Sequence, residues 1–162
     1  MDPQTIRSER WCPIDEFVAV PKINFSKIAF FSSHGGSGAR GVIGACGKEL
    51  RAAPGIIISN NPDSAIIEFA KTAGVTHEVV NVKKLGSEDA VQARVLELLR
   101  EIGVDLIVLS GYMKKLGADI VARYTGRVLN IHPALLPKYG GRGMYGMHVH
   151  KAVIDAGERE TG

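Results

Sequence analysis

The sequence predicts an α/β domain built on a doubly wound, mainly parallel sheet with helices on both faces. Short apolar runs alternate along the chain with segments in which apolar residues recur at helical spacing. The apolar run within residues 105–110 has no polar interruption, which is typical of a parallel strand that is covered on both faces. The 162 residues suffice for one domain with a sizeable core. Right-handed crossovers between parallel strands then distribute the helices over both faces.

Strands and helices are predicted in alternation. The strands are expected at residues 28–31, 55–59, 77–82, 105–110 and 128–131, and the helices at 39–51, 64–73, 88–102, 117–124 and 148–156. Asp63 follows a turn sequence and is predicted to cap the second helix, while Ser87 is predicted to cap the third. Helical spacing gives each of these two helices an apolar face, formed by Ile66, Ile67 and Ala70 in the second and by Val91, Val95, Leu98, Leu99 and Ile102 in the third.

Composition and charge restrict the classes of partner. The net charge is +3 and the charges are scattered, which suits anionic small molecules and is too weak to indicate nucleic acid. No apolar run approaches the roughly 20 residues that span a bilayer, so no membrane partner is expected. Cys12 and Cys46 show neither a CxxC motif nor metal-ligand spacing. We expect them to be free thiols in a reducing compartment, the cytoplasm.

Residues 1–24 differ in composition from the rest of the chain. They mix charges with Pro3, Pro13 and Pro21 and show no clear hydrophobic period. They lack the apolar centre of a signal peptide, and their acidic residues are unusual in a transit peptide. We therefore expect a disordered N-terminal extension at residues 1–24 and a folded domain at 25–162. The alternative is that Trp11 and Phe17 dock this segment on the domain.

The strand predicted at residues 128–131 ends in a polar pair. Asn130 and His132 are two residues apart, so their side chains share one face if the strand continues through them. Pro133 then ends the strand, because proline offers no N–H to a ladder. An amide donor and an imidazole would converge where a parallel strand opens into its loop, which is where open α/β sheets place their ligands. The alternative is a polar strand end with a satisfied histidine.

A glycine-rich loop follows the first strand. Residues 32–41 contain four glycines and open a helix, so their backbone N–H groups suit a phosphate. The loop lacks the Gly-Lys-Ser/Thr of a Walker A motif, and Asn60 and Asn61 stand where a dinucleotide fingerprint would have an acidic residue. The alternative is a tight turn that uses glycine for steric reasons. In the last helix, His148 and His150 are two residues apart rather than four, so no metal is predicted.

The string Asn130-Ile131-His132-Pro133-Ala134-Leu135-Leu136-Pro137 resembles the signature of the folate-dependent formyltransferases. The resemblance extends from about Lys27 to Gly162. It implies a Rossmann-like formyltransferase fold and a cytoplasmic enzyme that is a monomer or homodimer. The implied reaction moves a formyl group from 10-formyltetrahydrofolate to the amine of 5'-phosphoribosylglycinamide in purine biosynthesis, without a metal.

The resemblance also implies residue roles. It assigns catalysis to Asn130 and His132, phosphate binding to Gly36, Ser37 and Gly38, folate binding to Tyr112, Met113, Lys114, Lys115 and Leu116, and other substrate contacts to Pro133 and His148. Three positions depart from the family pattern. Gly38 stands where the family usually has Asn, Lys114 where it often has Arg, and Glu88 where many members have an Arg that meets the folate carboxylate tail.

The family has an aspartate beyond the last helix, which orients the histidine and steers a water that relays the proton. The sequence ends at Gly162, before that position. The resemblance therefore implies a formyltransferase shortened at its C-terminus, without its last strands and helix and with impaired activity. Two alternatives remain. One is a non-catalytic remnant or fragment that binds folate or phosphate. The other is an enzyme acting on methionyl-tRNA, which would need an RNA-binding domain and a more basic surface.

Overall fold

The computed structural model describes residues 27–141 and 143–162. The extension predicted at residues 1–24 lies outside the described residues. The sheet contains β1 (Lys27–Phe31), β2 (Ala53–Ser59), β3 (His77–Val79), β4 (Leu106–Ser110) and β5 (Val128–Ile131). Its order is β3-β2-β1-β4-β5, and every neighbouring pair is parallel. The predicted fold class is therefore confirmed.

Helices cover both faces of this sheet. They are α1 (Ser37–Ala45), α2 (Ala65–Ala73), α3 (Val82–Leu85), α4 (Glu88–Ile102), α5 (Ala118–Arg123) and α6 (Met147–Asp155). In the described residues, no helix has the length and apolar character needed to cross a membrane.

Two apolar cores form because successive side chains of a strand point to opposite faces. In β1, Ile28 and Phe30 pack towards α1 and α2, while Ala29 and Phe31 pack towards α4 and α5. The predicted faces of α2 and α4 are buried in these cores, except that Ile102 is half-buried at the margin. Burial of both strand faces explains the uninterrupted apolar run in β4.

The sequence predictions for the ends of the first helix and the third strand are wrong. The first helix spans Ser37–Ala45 rather than 39–51, because the chain reverses at Gly47, whose φ is 73°. The third strand ends at Val79 rather than 82, because the side chain of Asn81 accepts a hydrogen bond from Lys84 N (2.9 Å) and starts α3, which the sequence did not predict.

The predicted cap of α2 is wrong, and the predicted cap of α4 is confirmed. Ser64, not Asp63, occupies the N-cap of α2 and makes no capping bond. Its hydroxyl instead lies 2.8 Å from Asn61 O and 3.0 Å from Ser59 Oγ, within the loop that follows β2. Ser87 caps α4 as predicted, since its hydroxyl accepts a hydrogen bond from Ala90 N (3.1 Å).

We expect the core between the sheet and α1–α2 to contribute strongly to stability. Ile57 lies in the middle of β2 and is fully buried, so Ile57→Ala should lower the free energy of unfolding by roughly 2 to 5 kcal/mol through lost burial and a cavity. Ile154→Ala is the matched control, because that side chain is 75% exposed, and it should change stability by less than about 0.5 kcal/mol. Urea unfolding measures both, and equal losses would contradict this assignment of the core.

Candidate active site

A cleft of about 370 Å³ lies at the carboxyl ends of β1 and β4. These two strands are neighbours in the sheet but not in sequence, so the chain that follows each strand leads to helices on opposite faces of the sheet. Open α/β sheets bind ligands at such a switch point. Three segments line the cleft: Ser32, His34 and Gly36 after β1; Ser110, Gly111 and Met113 after β4; and Tyr145, Gly146, Met147 and His148 at the start of α6.

The glycine loop places the first turn of α1 at this cleft. Gly36 is the N-cap and has a φ of 57°, and no side chain caps the helix. A Cβ at Gly38 would lie 2.6 Å from Ile131 Cδ1, so a β5 side chain occupies the space that an asparagine would need. Residue 38 therefore offers a ligand its backbone N–H alone. Gly36, Ser37 and Gly38 lie together at a helix N-terminus, where the dipole favours an anion.

Hydrogen bonds join the glycine loop to the segment after β4. Ser33 N donates to Gly111 O (3.0 Å), and the Ser33 hydroxyl accepts from Met113 N (2.8 Å). In the first turn of α1, Ala39 N donates to Ser110 Oγ (3.1 Å). Gly111 has a φ of 67°, which glycine adopts without strain. The predicted phosphate loop and the predicted folate segment are thus held side by side.

The five predicted folate residues line two further clefts. Tyr112 and Lys114 line one of about 290 Å³, together with Glu88 and Gln92 of α4. Met113, Lys114, Lys115 and Leu116 line another of about 460 Å³, again with Glu88 and Gln92. Gly117 N donates to Gln92 Oε1 (2.7 Å), which fixes the end of this segment against α4.

Tyr112 anchors the segment in the core. Its ring packs edge-on against Phe31, with ring centroids 5.2 Å apart and planes at 72°. Burial, with a smaller contribution from the charge of Glu88, raises the pKa of Tyr112 to about 12. The phenol is therefore a neutral hydrogen-bonding group at physiological pH.

Asn130 and His132 lie one strand away from the 370 Å³ cleft. Asn130 is exposed and pairs in register with Leu109 of β4. Ile131 points towards α1, so alternation turns Asn130 to the opposite face.

His132 follows the last residue of β5, and its Nδ1 lies 3.0 Å from Ala134 O. Because a carbonyl only accepts, this contact makes Nδ1 the protonated nitrogen and leaves Nε2 for another partner. Pro133 contributes its carbonyl to a hydrogen bond from Thr161 Oγ1 (2.8 Å).

His148 reaches the cleft from α6. It packs edge-on against Tyr145, with ring centroids 5.4 Å apart, and both are exposed.

The loop before α6 is anchored by Glu158, which pairs with Lys138 and accepts a hydrogen bond from Tyr139 (2.7 Å). Lys138 and Tyr139 hold the pKa of the Glu158 carboxyl below its usual value. Within residues 27–141 and 143–162, no group of three or more His, Cys, Asp or Glu side chains could hold a metal ion.

Sequence reasoning did not single out Ser33, His34, Ser110 or Tyr145 as site residues. His34 interrupts the glycine loop and Ser110 ends the apolar run of the fourth predicted strand, so both could have been identified from the sequence. Ser33 and Tyr145 could not, because their positions depend on contacts with segments distant in sequence.

The fold and this edge of the sheet define a class of protein. Residues 26–162 match the model of the formyl transferase family, and the chain belongs to that family. The predicted family is therefore confirmed. Among curated proteins, the chain is 36% identical over 138 residues to the chloroplastic phosphoribosylglycinamide formyltransferase of Arabidopsis thaliana and 35% identical over 137 residues to the phosphoribosylglycinamide formyltransferase of Haemophilus influenzae.

Solved structures give the same relationship. The phosphoribosylglycinamide formyltransferase of Coxiella burnetii, solved in complex with CHES, superposes with a TM-score of 0.75 at 32% identity, over 85% of this chain and 63% of that one. The two curated alignments each cover 84% of this chain. They cover 47% of the Arabidopsis protein and 62% of the Haemophilus protein, so the chain spans less than two thirds of either relative.

The raised pKa of Tyr112 predicts a pH effect on stability. In the folded state the phenol ionises at a higher pH than in the unfolded chain, where its pKa is the ordinary 10.0. Its stabilising contribution is therefore complete below pH 10 and is lost as the pH rises towards 12. The difference in unfolding free energy between the wild type and Tyr112→Phe should therefore change across this window, with the wild type losing more. Denaturant unfolding at several pH values measures it, and a constant difference would contradict the burial of this phenol.

Proposed function

We propose that this chain transfers a formyl group from 10-formyltetrahydrofolate to the amine of 5'-phosphoribosylglycinamide, a step of purine biosynthesis. One observation carries the proposal: the glycine loop and the segment 112–116 are hydrogen-bonded to each other at the switch point, beside the strand that bears Asn130. The relatives whose names state this activity support the choice of substrates. The acting form is a monomer or homodimer, in the cytoplasm, with small-molecule partners and no metal.

The acceptor is assigned to the 370 Å³ cleft. Its phosphate would accept hydrogen bonds from the backbone N–H groups of Gly36, Ser37 and Gly38, with the dipole of α1 favouring the negative charge. His148 lines the same cleft and is placed to contact the ribosyl group. Pro133, directly after His132, would border the acceptor amine.

The formyl donor is assigned to the segment after β4. Backbone groups of Tyr112, Met113, Lys114, Lys115 and Leu116 would bind the pterin ring along the clefts that they line. Glu88 borders both clefts, so its carboxylate would repel the carboxylate tail of a folate. The positive charges of Lys114 and Lys115 in the same segment offset this repulsion.

The chemistry needs donors at the formyl oxygen. The acceptor amine attacks the formyl carbon, a C–N bond forms, and negative charge develops on the formyl oxygen in a tetrahedral intermediate. The Asn130 amide and protonated His132 would donate to that oxygen, each being worth about 3 to 4 kcal/mol when preorganised. Collapse breaks the bond to the folate nitrogen, which gains a proton while the attacking amine loses one. The contact of Nδ1 with Ala134 O orients the imidazole for this role.

The two proposed catalytic side chains give a direct test. Asn130→Ala and His132→Ala should each lower kcat about 10²- to 10³-fold, because each removes a donor to the developing oxyanion. His150→Ala is the matched control, since His150 is an exposed histidine on α6 that the proposal does not use. The assay follows loss of the formyl donor by absorbance, with and without 5'-phosphoribosylglycinamide.

Each outcome of this assay separates the candidate functions. Acceptor-dependent turnover that falls in Asn130→Ala and His132→Ala but not in His150→Ala supports the formyltransferase. Turnover that is equal in wild type and His132→Ala would contradict the assigned catalytic residues. Saturable binding of either ligand without turnover would contradict the enzyme and support the alternative function, a non-catalytic remnant that binds folate or phosphate.

A further inference from the structure

The buried hydroxyl of Ser33 connects the two halves of the proposed site. Ser33 lies in the glycine loop and is 2% exposed. Its hydroxyl binds Met113, which lies on the segment 112–116 assigned to the formyl donor, and its N–H binds Gly111, which directly precedes that segment. We propose that Ser33 is a positioning residue that holds this segment in the orientation that binds the formyl donor. The inference rests on the proposed function and adds to it a residue that is neither among Gly36, Ser37 and Gly38 nor in the segment 112–116.

The N–H and hydroxyl of Ser33 make three hydrogen bonds. Its N–H donates to Gly111 O (3.0 Å), its hydroxyl oxygen accepts from Met113 N (2.8 Å), and the hydroxyl proton is donated to Asn60 Oδ1 (2.5 Å). The last bond determines which way the hydroxyl points, so its lone pairs face Met113. An alanine at this position would leave the Met113 N–H without that acceptor.

The network continues from Ser33 to the wall of the donor cleft. Asn60 O accepts a hydrogen bond from Asn81 Nδ2 (3.0 Å). Asn60 and Asn81 both line the 290 Å³ cleft, together with Tyr112 and Lys114. Loss of the Ser33 hydroxyl would therefore disturb this cleft at Asn60 and the neighbouring 460 Å³ cleft at Met113.

The turn of α1 assigned to the acceptor phosphate does not depend on this hydroxyl, although Gly111 and Met113 also line the acceptor cleft. The first turn of α1 is held by Arg40 N donating to Gly36 O (2.9 Å) and by Ala39 N donating to Ser110 Oγ (3.1 Å). Neither bond involves Ser33. A variant that lacks the hydroxyl should therefore weaken binding of the donor and leave binding of the acceptor nearly unchanged, a split that general loss of stability would not produce.

Two variants and one control test the proposal. Ser33→Ala removes the acceptor for Met113 N–H, and Ser33→Cys keeps nearly the same size but accepts more weakly. Ser59→Ala is the matched control, because Ser59 is an equally buried serine at the end of the neighbouring strand and its hydroxyl bonds only within the loop after β2. The readouts are hydrogen exchange of the Met113 amide and the separate KM values for a formyl-folate donor and for 5'-phosphoribosylglycinamide.

We expect Ser33→Ala to accelerate exchange of the Met113 amide and to raise KM for the donor about tenfold, as for a lost buried hydrogen bond. Ser33→Cys should show a smaller rise, and KM for the acceptor should change less than about twofold. Ser59→Ala should leave both KM values and the Met113 amide unchanged. A rise shared by both KM values, or no rise in either, would overturn the proposal.

Failure of the proposed function would be distinguishable from failure of this inference. If the wild type neither turns over nor binds the donor, the proposed function fails and the inference falls with it. If the wild type is active and Ser33→Ala matches it, the inference alone is overturned. If neither Ser33 variant folds, Ser33 supports the fold rather than the donor site, which also overturns the inference.

Discussion

The parallel pairing of β1 with β4 is the constraint on which the rest of the molecule depends. Phe31 pairs in register with Leu109, so the loops after the two strands leave the sheet at the same level. That register places Ser33 within hydrogen-bonding distance of Gly111 and Met113, and α1 within reach of Ser110. Both apolar cores hold this pairing in place, because β1 and β4 are buried on their two faces. The proposed site is therefore a consequence of strand order rather than of any single loop.

Short polar side chains at the carboxyl edge of the sheet stabilise the loops of the proposed site. Ser32, Ser33 and Ser110 are buried, and their hydroxyls lie against backbone and amide groups of the loops that follow the strands. A buried hydroxyl without a partner is costly, so these contacts stabilise one arrangement of the loops over others. In the proposed site, backbone N–H groups of the glycine loop and of the segment 112–116 would thereby be available to ligands without large movement of the chain.

The sequence predicted the class of fold because alternation of strand and helix is encoded locally. It predicted the face of α4 from the spacing of Val91, Val95 and Leu98, and the cap at Ser87 from a residue type at a helix start. It missed α3 although Asn81 is a residue type that caps helices, because Val79, Val80 and Val82 on both sides of it favour a strand. The hydrogen bond between Ser33 and Met113 joins residues 80 apart, and no local pattern indicates such a contact. The resemblance to formyltransferases named the site residues, whereas the connection between the two ligand-binding segments required the tertiary structure.

In the proposed site, two small molecules bind side by side at this edge of the sheet and meet at β5. Their placement can be mapped from backbone amide chemical shifts in the labelled chain, with 5'-phosphoribosylglycinamide and then with a formyl-folate analogue. We expect the first ligand to shift the amides of Gly36–Gly38 and His148, the second to shift those of Tyr112–Leu116, and both to shift those of Asn130 and His132. Shifts confined to other surfaces, or two sets of shifts that do not meet at β5, would contradict it.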